Sequence, residues 1–232
     1  MKICAFNSAD LTPGKYSIKD PRLDQVDKIT KSKKKTYCTV ELVAENAMPE
    51  ADAILVLEEN RTDLILKDLE FVETRLGRSP QDVELTLLNK LKAALEKEEF
   101  VANIGLSEEE KKLLSGGMVT ERPVVVAKKE ELQDRDELLG RALREGGYMS
   151  FFTTGEKETR AWLVKKGTTA WEASGTIHSD IQKGFIRAEI ISFNDFIQAG
   201  GENAAKQAGK MRLEPKEYIM QDADLTNFRF NK

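Results

Sequence analysis

The sequence predicts an α/β domain followed by a second domain of short strands. In residues 1–147, apolar and β-branched runs typical of buried strands alternate with segments of helical periodicity, which favours a parallel sheet. Gly146 and Gly147 end the last of these helices, and residues 148–232 then turn to short strands, turns, aromatic residues and one short helix. We therefore place a domain boundary near residue 147.

Composition limits what the chain can bind. Lys and Arg number 36 against 40 Asp and Glu, a net charge of -4, so nucleic acid or anionic lipid must meet a local patch. With the boundary at 147, the two domains carry net charges of about -5 and +1. The two cysteines lie outside any CxxC pair and predict neither a disulfide framework nor a zinc site, so no metal is expected.

The apolar runs also bear on location. The first one, at the N-terminus, is too short for the core of a signal peptide, and no later run reaches transmembrane length. The sequence therefore predicts a soluble cytoplasmic protein with no membrane partner.

The first domain opens with a strand and a helix. "KICAF" indicates the strand, and in "DPRLDQVDKI" Asp20 caps a helix that has Pro21 in its first turn. "TYCTVELV" (36–43) alternates and is rich in β-branched residues, and "ADAILVLEE" (51–59) is a continuous apolar run of the kind buried in parallel sheets. Helices and strands are therefore interleaved.

Two amphipathic stripes predict an antiparallel helical hairpin over about residues 61–98. Their apolar side chains recur three or four residues apart: Ile65, Leu69, Val72 and Leu76, then Leu85, Leu88, Leu91 and Leu95. Beyond the hairpin, Ser107 and Glu110 form a capping-box pattern. "RPVVVAK" (122–128) indicates another buried strand, and "EELQDRDELLGRAL" indicates a helix.

Four segments of the second domain are distinctive: "GEKETRAW", "IHSDIQKGFIRAE", "GGENAAKQAGKMRLE" and "YIMQDADLTNFRF". Through these segments the domain closely resembles, over about 80 residues, the C-terminal TGS domain of the YchF/Obg-like ATPase family. The resemblance implies an α+β β-grasp (ubiquitin-like) fold. Segments of the first domain, such as "DPRLDQVDKITKSKKK" and "ADAILVLEENRTDLILKDLEFVETRL", are similar to those that flank the family's nucleotide site, including its coiled-coil hairpin.

The first domain departs from the family at three nucleotide-binding motifs. The family has a GxxxxGK[ST] loop directly after its first strand, whereas "NSADLTPGKYS" lacks the first glycine and has Tyr16 in place of the hydroxyl, so Gly14 and Lys15 are rejected as a remnant. The magnesium-associated DxxG segment is missing from "AENAMPE", and NxxE appears as "AKKE", with Ala127 instead of asparagine. We expect a truncated, G-domain-like parallel-sheet remnant with no cofactor and no catalytic residues.

The chain contains a single histidine, His178. The resemblance places it in an "IH" pair common to TGS domains, including those of threonyl-tRNA and stringent-response synthetases, and this implies RNA stacking or phosphate contact. The alternative is a histidine at a helix end whose ring satisfies backbone groups, with Asp180 capping the adjoining turn. Because no nucleophile lies at triad spacing, catalysis by His178 is not predicted.

Basic clusters supply the other candidates for RNA contact. The densest run is Lys31, Lys33, Lys34 and Lys35, and the second domain adds Lys165 with Lys166 and Lys183 with Arg187. Such runs are usually solvated surface, and an RNA-facing role is the alternative. The predicted RNA-binding set is His178, Lys165, Lys166, Lys183 and Arg187.

The predicted function is a non-catalytic YchF-related protein that binds RNA or the ribosome through its TGS domain, with no DNA partner. Two alternatives stay open. One is a nucleotide-binding or hydrolysing enzyme with a non-standard site near Lys15 or "AKKE". The other is a regulatory protein that docks on a partner through the hairpin, although self-packing is the first explanation for its leucine stripes.

Overall fold

The computed structural model describes residues 1–8, 10–114 and 117–231. The chain divides into two compact units. The first unit comprises residues 1–16 and 40–146, and the second comprises residues 17–39 and 147–232. Segment 17–39 therefore packs with the C-terminal part of the chain, whereas the sequence pattern placed it in the first domain.

Strands and helices are interleaved along much of the chain. Up to residue 146 the elements are β1 (Lys2–Phe6), β2 (Gly14–Ile18), α1 (Pro21–Thr30), β3 (Lys35–Thr36), β4 (Cys38–Val43), β5 (Ala53–Leu57), α2 (Arg61–Leu76), α3 (Asp82–Leu95), α4 (Glu108–Leu114), β6 (Val124–Ala127) and α5 (Arg135–Glu145). From residue 148 they are β7 (Tyr148–Thr153), β8 (Thr159–Lys165), α6 (Ala170–Ile177), α7 (Ser179–Lys183), β9 (Phe185–Ile191), α8 (Phe193–Ala199), α9 (Glu202–Gln207), β10 (Arg212–Glu214) and β11 (Leu225–Phe230). Short 3-10 turns connect several of them.

A five-stranded sheet in the order β2-β4-β1-β5-β6 forms the centre of the first unit. β1 pairs in parallel with β4 and β5, and β5 pairs in parallel with β6. The predicted parallel sheet is thus confirmed. All five residues of β5 are buried, as expected for a strand covered on both faces.

The predicted helical hairpin is also confirmed, as α2 and α3. Its stripes face the unit's own core: Val72, Leu88, Leu91 and Leu95 are buried with Phe6 and Ile54 of the sheet. The capping box that opens α4 is present, because the backbone N–H of Ser107 donates to Glu110 Oε2 at 2.7 Å and that of Glu110 donates to Ser107 Oγ at 3.1 Å. Self-packing therefore accounts for much of the hairpin's apolar surface.

The predicted strand "TYCTVELV" is wrong in one respect, because it is two strands that join different sheets. β3 pairs with β8 in parallel, while β4 pairs with β1. Between them, the hydroxyl of Tyr37 donates to Asp24 of α1. A local pattern of β-branched residues carries no information about which sheet each half joins.

A six-stranded sheet in the order β10-β9-β11-β7-β8-β3 forms the second unit. One face packs against α6, with Phe151, Ala173 and Phe228 in the core. The other face packs against α1 and α8, where Leu23 and Val26 are fully buried. Parallel and antiparallel pairs occur in this sheet, so the chain as a whole is a mixed α/β protein.

The regrouping of residues 17–39 changes the distribution of charge. The second unit holds 19 Lys and Arg against 14 Asp and Glu, a net charge of +5, which leaves 17 basic and 26 acidic residues, a net charge of -9, for the first unit. The run from Lys31 to Lys35 is the main cause, because it belongs to the second unit. Within the described ranges, no helix has the length and apolar character needed to span a membrane.

Candidate functional site

His178 lies at the junction of two short helices in the second unit. Its backbone N–H donates to Ser174 O at 3.2 Å and closes α6, and its Nδ1 accepts from the backbone N–H of Asp180 at 3.1 Å and caps α7. An accepting Nδ1 requires the neutral ring to carry its proton on Nε2. The side chain is 62% exposed, so one ring nitrogen has a structural role while the ring itself remains open to solvent.

A shallow, solvent-open depression borders His178. Ile181 and Phe230 supply its apolar surface, and Lys183 and Asn231 lie at its edge. We call this feature the Phe230 depression. Phe230 is 36% exposed, although Phe228, two residues earlier in β11, is only 6% exposed; the pairing of β11 with β9 shifts register between Arg229 and Phe230. The strand thus carries its aromatic side chains from the core out into solvent.

Gly184 shapes one wall of this depression. Its carbonyl accepts from the backbone N–H of Asn231 at 2.9 Å. A Cβ added at Gly184 would lie 2.0 Å from the carbonyl oxygen of Asn231, closer than two such atoms can approach. Glycine at this position therefore allows the end of β11 to lie against the turn between α7 and β9.

The structure brings together only part of the predicted RNA-binding set. Lys183 borders the depression with His178. Arg187 lies on the other face of the sheet, because side chains alternate along β9 and Ala188 and Ile190 face α6. Lys165 ends β8, where its ammonium lies 5.6 Å from the centre of the Tyr148 ring, and Lys166 follows in the next turn.

Arg187 shares its face of the sheet with a buried carboxylate. The Glu189 side chain is 8% exposed and accepts from Arg229 Nε at 2.9 Å and from Asn227 Nδ2 at 2.6 Å. Burial alone would raise the pKa of Glu189, but the hydrogen bonds from Arg229 and Asn227 outweigh it and hold the pKa below its ordinary value. This arrangement is a satisfied ion pair and links β9 to β11.

In the first unit, a second polar cluster follows the carboxyl ends of β1 and β5. Asn60 Nδ2 donates to Asn7 O at 2.8 Å, and Asn7 Nδ2 donates to Asp63 Oδ2 at 3.3 Å. In the sheet, β4 and β5 lie on opposite sides of β1, so the strand order reverses at β1. The carboxyl edge of the sheet at such a topological switch point is where open α/β sheets bind ligands. These residues were not predicted from the sequence, since their proximity depends on strand order.

This edge does not reproduce a phosphate-binding loop. The two amides and the carboxylate of Asn7, Asn60 and Asp63 offer hydrogen bonds to a base or a ribose, and none of these three groups is a cation for phosphate, so we derive no chemical step from them. Lys15 lies in β2 and "AKKE" begins at the end of β6, the two outer strands of the sheet, while Arg135, at the start of α5, lies 4.5 Å from the centre of the Tyr16 ring. The segment "KYSI" belongs to a strand, β2.

Comparisons with known proteins fit this architecture. The fold is that of the S. pombe YchF GTPase, with a TM-score of 0.75 at 19% sequence identity over 97% of this chain and 89% of that one. Residues 148–231 match the family model described as "YchF-GTPase_C: Protein of unknown function (DUF933)". A mixed α/β chain with these two sheets is therefore of the YchF GTPase fold class.

Sequence relatives identify the family. The Ribosome-binding ATPase YchF of Bacillus subtilis is 33% identical over 246 residues, which cover 78% of this chain and 67% of that protein. The Haemophilus influenzae protein of the same name is 55% identical over 97 residues, and Obg-like ATPase 1 of Danio rerio is 54% identical over 81 residues. The chain belongs to the YchF/Obg-like family. Its matches span only 27% of the Haemophilus protein and 20% of the Danio protein.

The prediction of a non-catalytic protein that is not an enzyme is wrong. The relatives are named ribosome-binding ATPases, and the structural neighbour is named a GTPase. The prediction rested on three missing motifs, and such motifs describe one way of holding a nucleotide. Their absence from "NSADLTPGKYS", "AENAMPE" and "AKKE" is a fact of the sequence that does not establish the absence of activity.

Proposed function

We propose that this chain is a ribosome-associated member of the YchF family that works in the cytoplasm and contacts ribosomal RNA through its second unit. The charge of that unit carries the proposal: +5, against -9 for the first unit. A polyanionic partner is attracted to the positively charged unit and repelled by the other. The names of the relatives, ribosome-binding ATPases, support the same partner.

The finer description of the fold is part of this proposal. The second unit is a TGS domain of the β-grasp type, supported by the family match over residues 148–231 and by the packing of α6 across its sheet. The first unit is a shortened GTPase-like domain, supported by the short 3-10 connection Glu45–Glu50 between β4 and β5. Lys165, Lys166, His178 and Lys183 are the proposed RNA contacts.

Co-sedimentation of the full chain with purified ribosomes tests the proposal. We compare the wild type with the double variant Lys166→Ala/Lys183→Ala and with the control Lys97→Ala/Lys112→Ala, which removes the same charge from exposed positions of the first unit. The wild type and the control should sediment with ribosomes, and the Lys166/Lys183 variant should shift toward the supernatant. Equal sedimentation of all three proteins would contradict contact through the second unit.

A second candidate function is nucleotide binding at the switch point of the first unit. The relatives' names favour it, and the amides of Asn7 and Asn60 are suited to the edge of a purine base. Calorimetry with ATP and GTP, and phosphate release from each, test it. Asn60→Ala should weaken binding while Asn103→Ala, at an exposed position, should leave it unchanged; the absence of heat and turnover with the wild type would overturn this proposal.

A further inference from the structure

We infer that the Phe230 depression is a stacking platform for an unpaired RNA base, with Lys183 placed to contact the adjoining phosphate. The inference rests on the proposed association with ribosomal RNA and specifies the part of the RNA that is bound. Phe230 was not among the residues selected from the sequence, and its partial exposure distinguishes it from the aromatic residues of the core.

A packed aromatic group precedes Phe230 in β11. The Phe228 ring lies 5.9 Å from the Phe151 ring at an edge-on angle of 79° and 5.9 Å from the Phe185 ring. Phe230 follows Phe228 by two residues in β11, beyond a shift in the pairing register between Arg229 and Phe230, and it lines the depression together with Ile181. Because Phe228 is packed and the backbone of Asn231 is hydrogen-bonded to Gly184, the chain on both sides of Phe230 is fixed, and a base can stack there with little further ordering of the backbone.

Polar groups at the edge suit a single-stranded nucleotide. Lys183 is exposed beside the depression and provides a cation for phosphate. Asn231 supplies an amide. Asp180 also borders the depression, and its carboxylate, 3.5 Å from His178 Nδ1, offers an acceptor for an exocyclic amino group. The exposed His178 ring adds a second flat surface.

These features favour an unpaired base over duplex RNA or a peptide. Stacking requires a free face of the base, which a duplex hides within its helix. A hydrophobic peptide would require a continuous apolar groove, whereas this depression combines the exposed rings of Phe230 and His178 with charged and amide groups. The net charge of +5 on the unit complements RNA.

The test is fluorescence anisotropy of a short labelled single-stranded RNA, titrated with the full-length protein. Phe230→Leu keeps apolar bulk and removes the aromatic face, and Phe230→Trp keeps an aromatic face. We expect Phe230→Leu to weaken binding about 5- to 150-fold, the loss expected for one base stack. Phe230→Trp should bind within about twofold of the wild type, because Trp stacks at least as well. Thermal unfolding of each variant checks that it remains folded.

Several outcomes would overturn the inference. One is equal affinity of the Leu variant and the wild type for the single strand. Another is equal binding of the single strand and its annealed duplex by all variants, which would indicate phosphate contact alone. A third is a Leu variant that loses ribosome co-sedimentation while keeping RNA affinity, which would indicate a protein partner. Failure of the wild type to sediment with ribosomes would overturn the proposed function. The RNA titration would then still decide whether an unpaired base stacks on Phe230.

Discussion

His178 Nδ1 accepts a 3.1 Å hydrogen bond from the backbone N–H of Asp180, so the only histidine of the chain is a helix cap with an exposed ring. The sequence indicated two roles for it, RNA contact and backbone satisfaction. The structure shows the second role, backbone satisfaction: the His178 ring, rather than Asp180, caps α7. An exposed ring is compatible with the first role as well.

The first prediction separates the two roles of His178. His178→Ala removes the cap of α7 and should lower the free energy of unfolding by about 0.5 to 2 kcal/mol. His178→Asn keeps an acceptor at the cap position and should stay within about 0.5 kcal/mol of the wild type. Urea denaturation followed by tryptophan fluorescence measures this, since Trp162 and Trp171 both lie in the second unit. Equal stability of the two variants would show that the cap contributes nothing.

The second prediction concerns the N-terminal helix that packs with the C-terminal sheet. Leu23 is fully buried in the second core, so Leu23→Ala should lower the stability reported by tryptophan fluorescence by about 2 to 5 kcal/mol. Gln25→Ala, at an exposed position of the same helix, is the control and should change it by less than about 0.5 kcal/mol. An unchanged fluorescence transition for Leu23→Ala would mean that α1 is not part of this core.

A third prediction uses the ion pair between the buried Glu189 and the half-exposed Arg229. Because the folded-state pKa of Glu189 is lowered, its contribution is fully present above the ordinary value of 4.5 and is lost as pH falls through the lower, folded-state value. Glu189→Gln should cost about 1.5 kcal/mol at neutral pH. The cost should shrink as the pH falls below 4.5 and through the lowered folded-state pKa, where the wild type also loses the charged form. Unfolding measured across pH checks this, and a cost independent of pH would contradict the ionic contribution.

A fourth prediction concerns the close approach at Gly184. Gly184→Ala places a methyl group against the carbonyl of Asn231 and should destabilise the second unit by about 1 to 3 kcal/mol. Gly155→Ala is the matched control, because an added Cβ there meets nothing nearer than 3.8 Å. Thermal unfolding compares the two. If both variants melt at the same temperature, the end of β11 moves away from the turn without cost.

Local patterns predicted many elements of this fold and few of its long-range groupings. "KICAF" and "ADAILVLEE" contain buried parallel strands, "RPVVVAK" contains a half-buried parallel strand at the sheet edge, and the leucine stripes form the hairpin, because burial on one or both faces leaves a periodic trace in the sequence. The assignment of residues 17–39 to the second unit was not predictable in this way. It depends on distant contacts, such as the 2.8 Å hydrogen bond between the hydroxyls of Thr30 and Thr159.

The candidate site was predictable in part for a similar reason. His178 and Lys183 are close in sequence and lie at one depression, whereas Arg187 was assigned to the same set although alternation along β9 turns it to the other face. The positions of Phe230 and of the cluster of Asn7, Asn60 and Asp63 in the fold depend on how the strands pair. The spacing of residues along the sequence does not reveal that pairing. The mistaken inference of a non-catalytic protein came from treating missing motifs as proof of missing activity.

The salt dependence of ribosome binding tests most directly the claim that the second unit contacts RNA phosphates. Affinities from co-sedimentation at several salt concentrations give the slope of log K against log salt for the wild type, Lys183→Ala and the first-unit control Lys97→Ala. The account predicts a negative slope that becomes shallower by about 0.7 to 0.9 in Lys183→Ala and is unchanged in Lys97→Ala. A slope near zero for the wild type, or equal slopes in all three proteins, would contradict it.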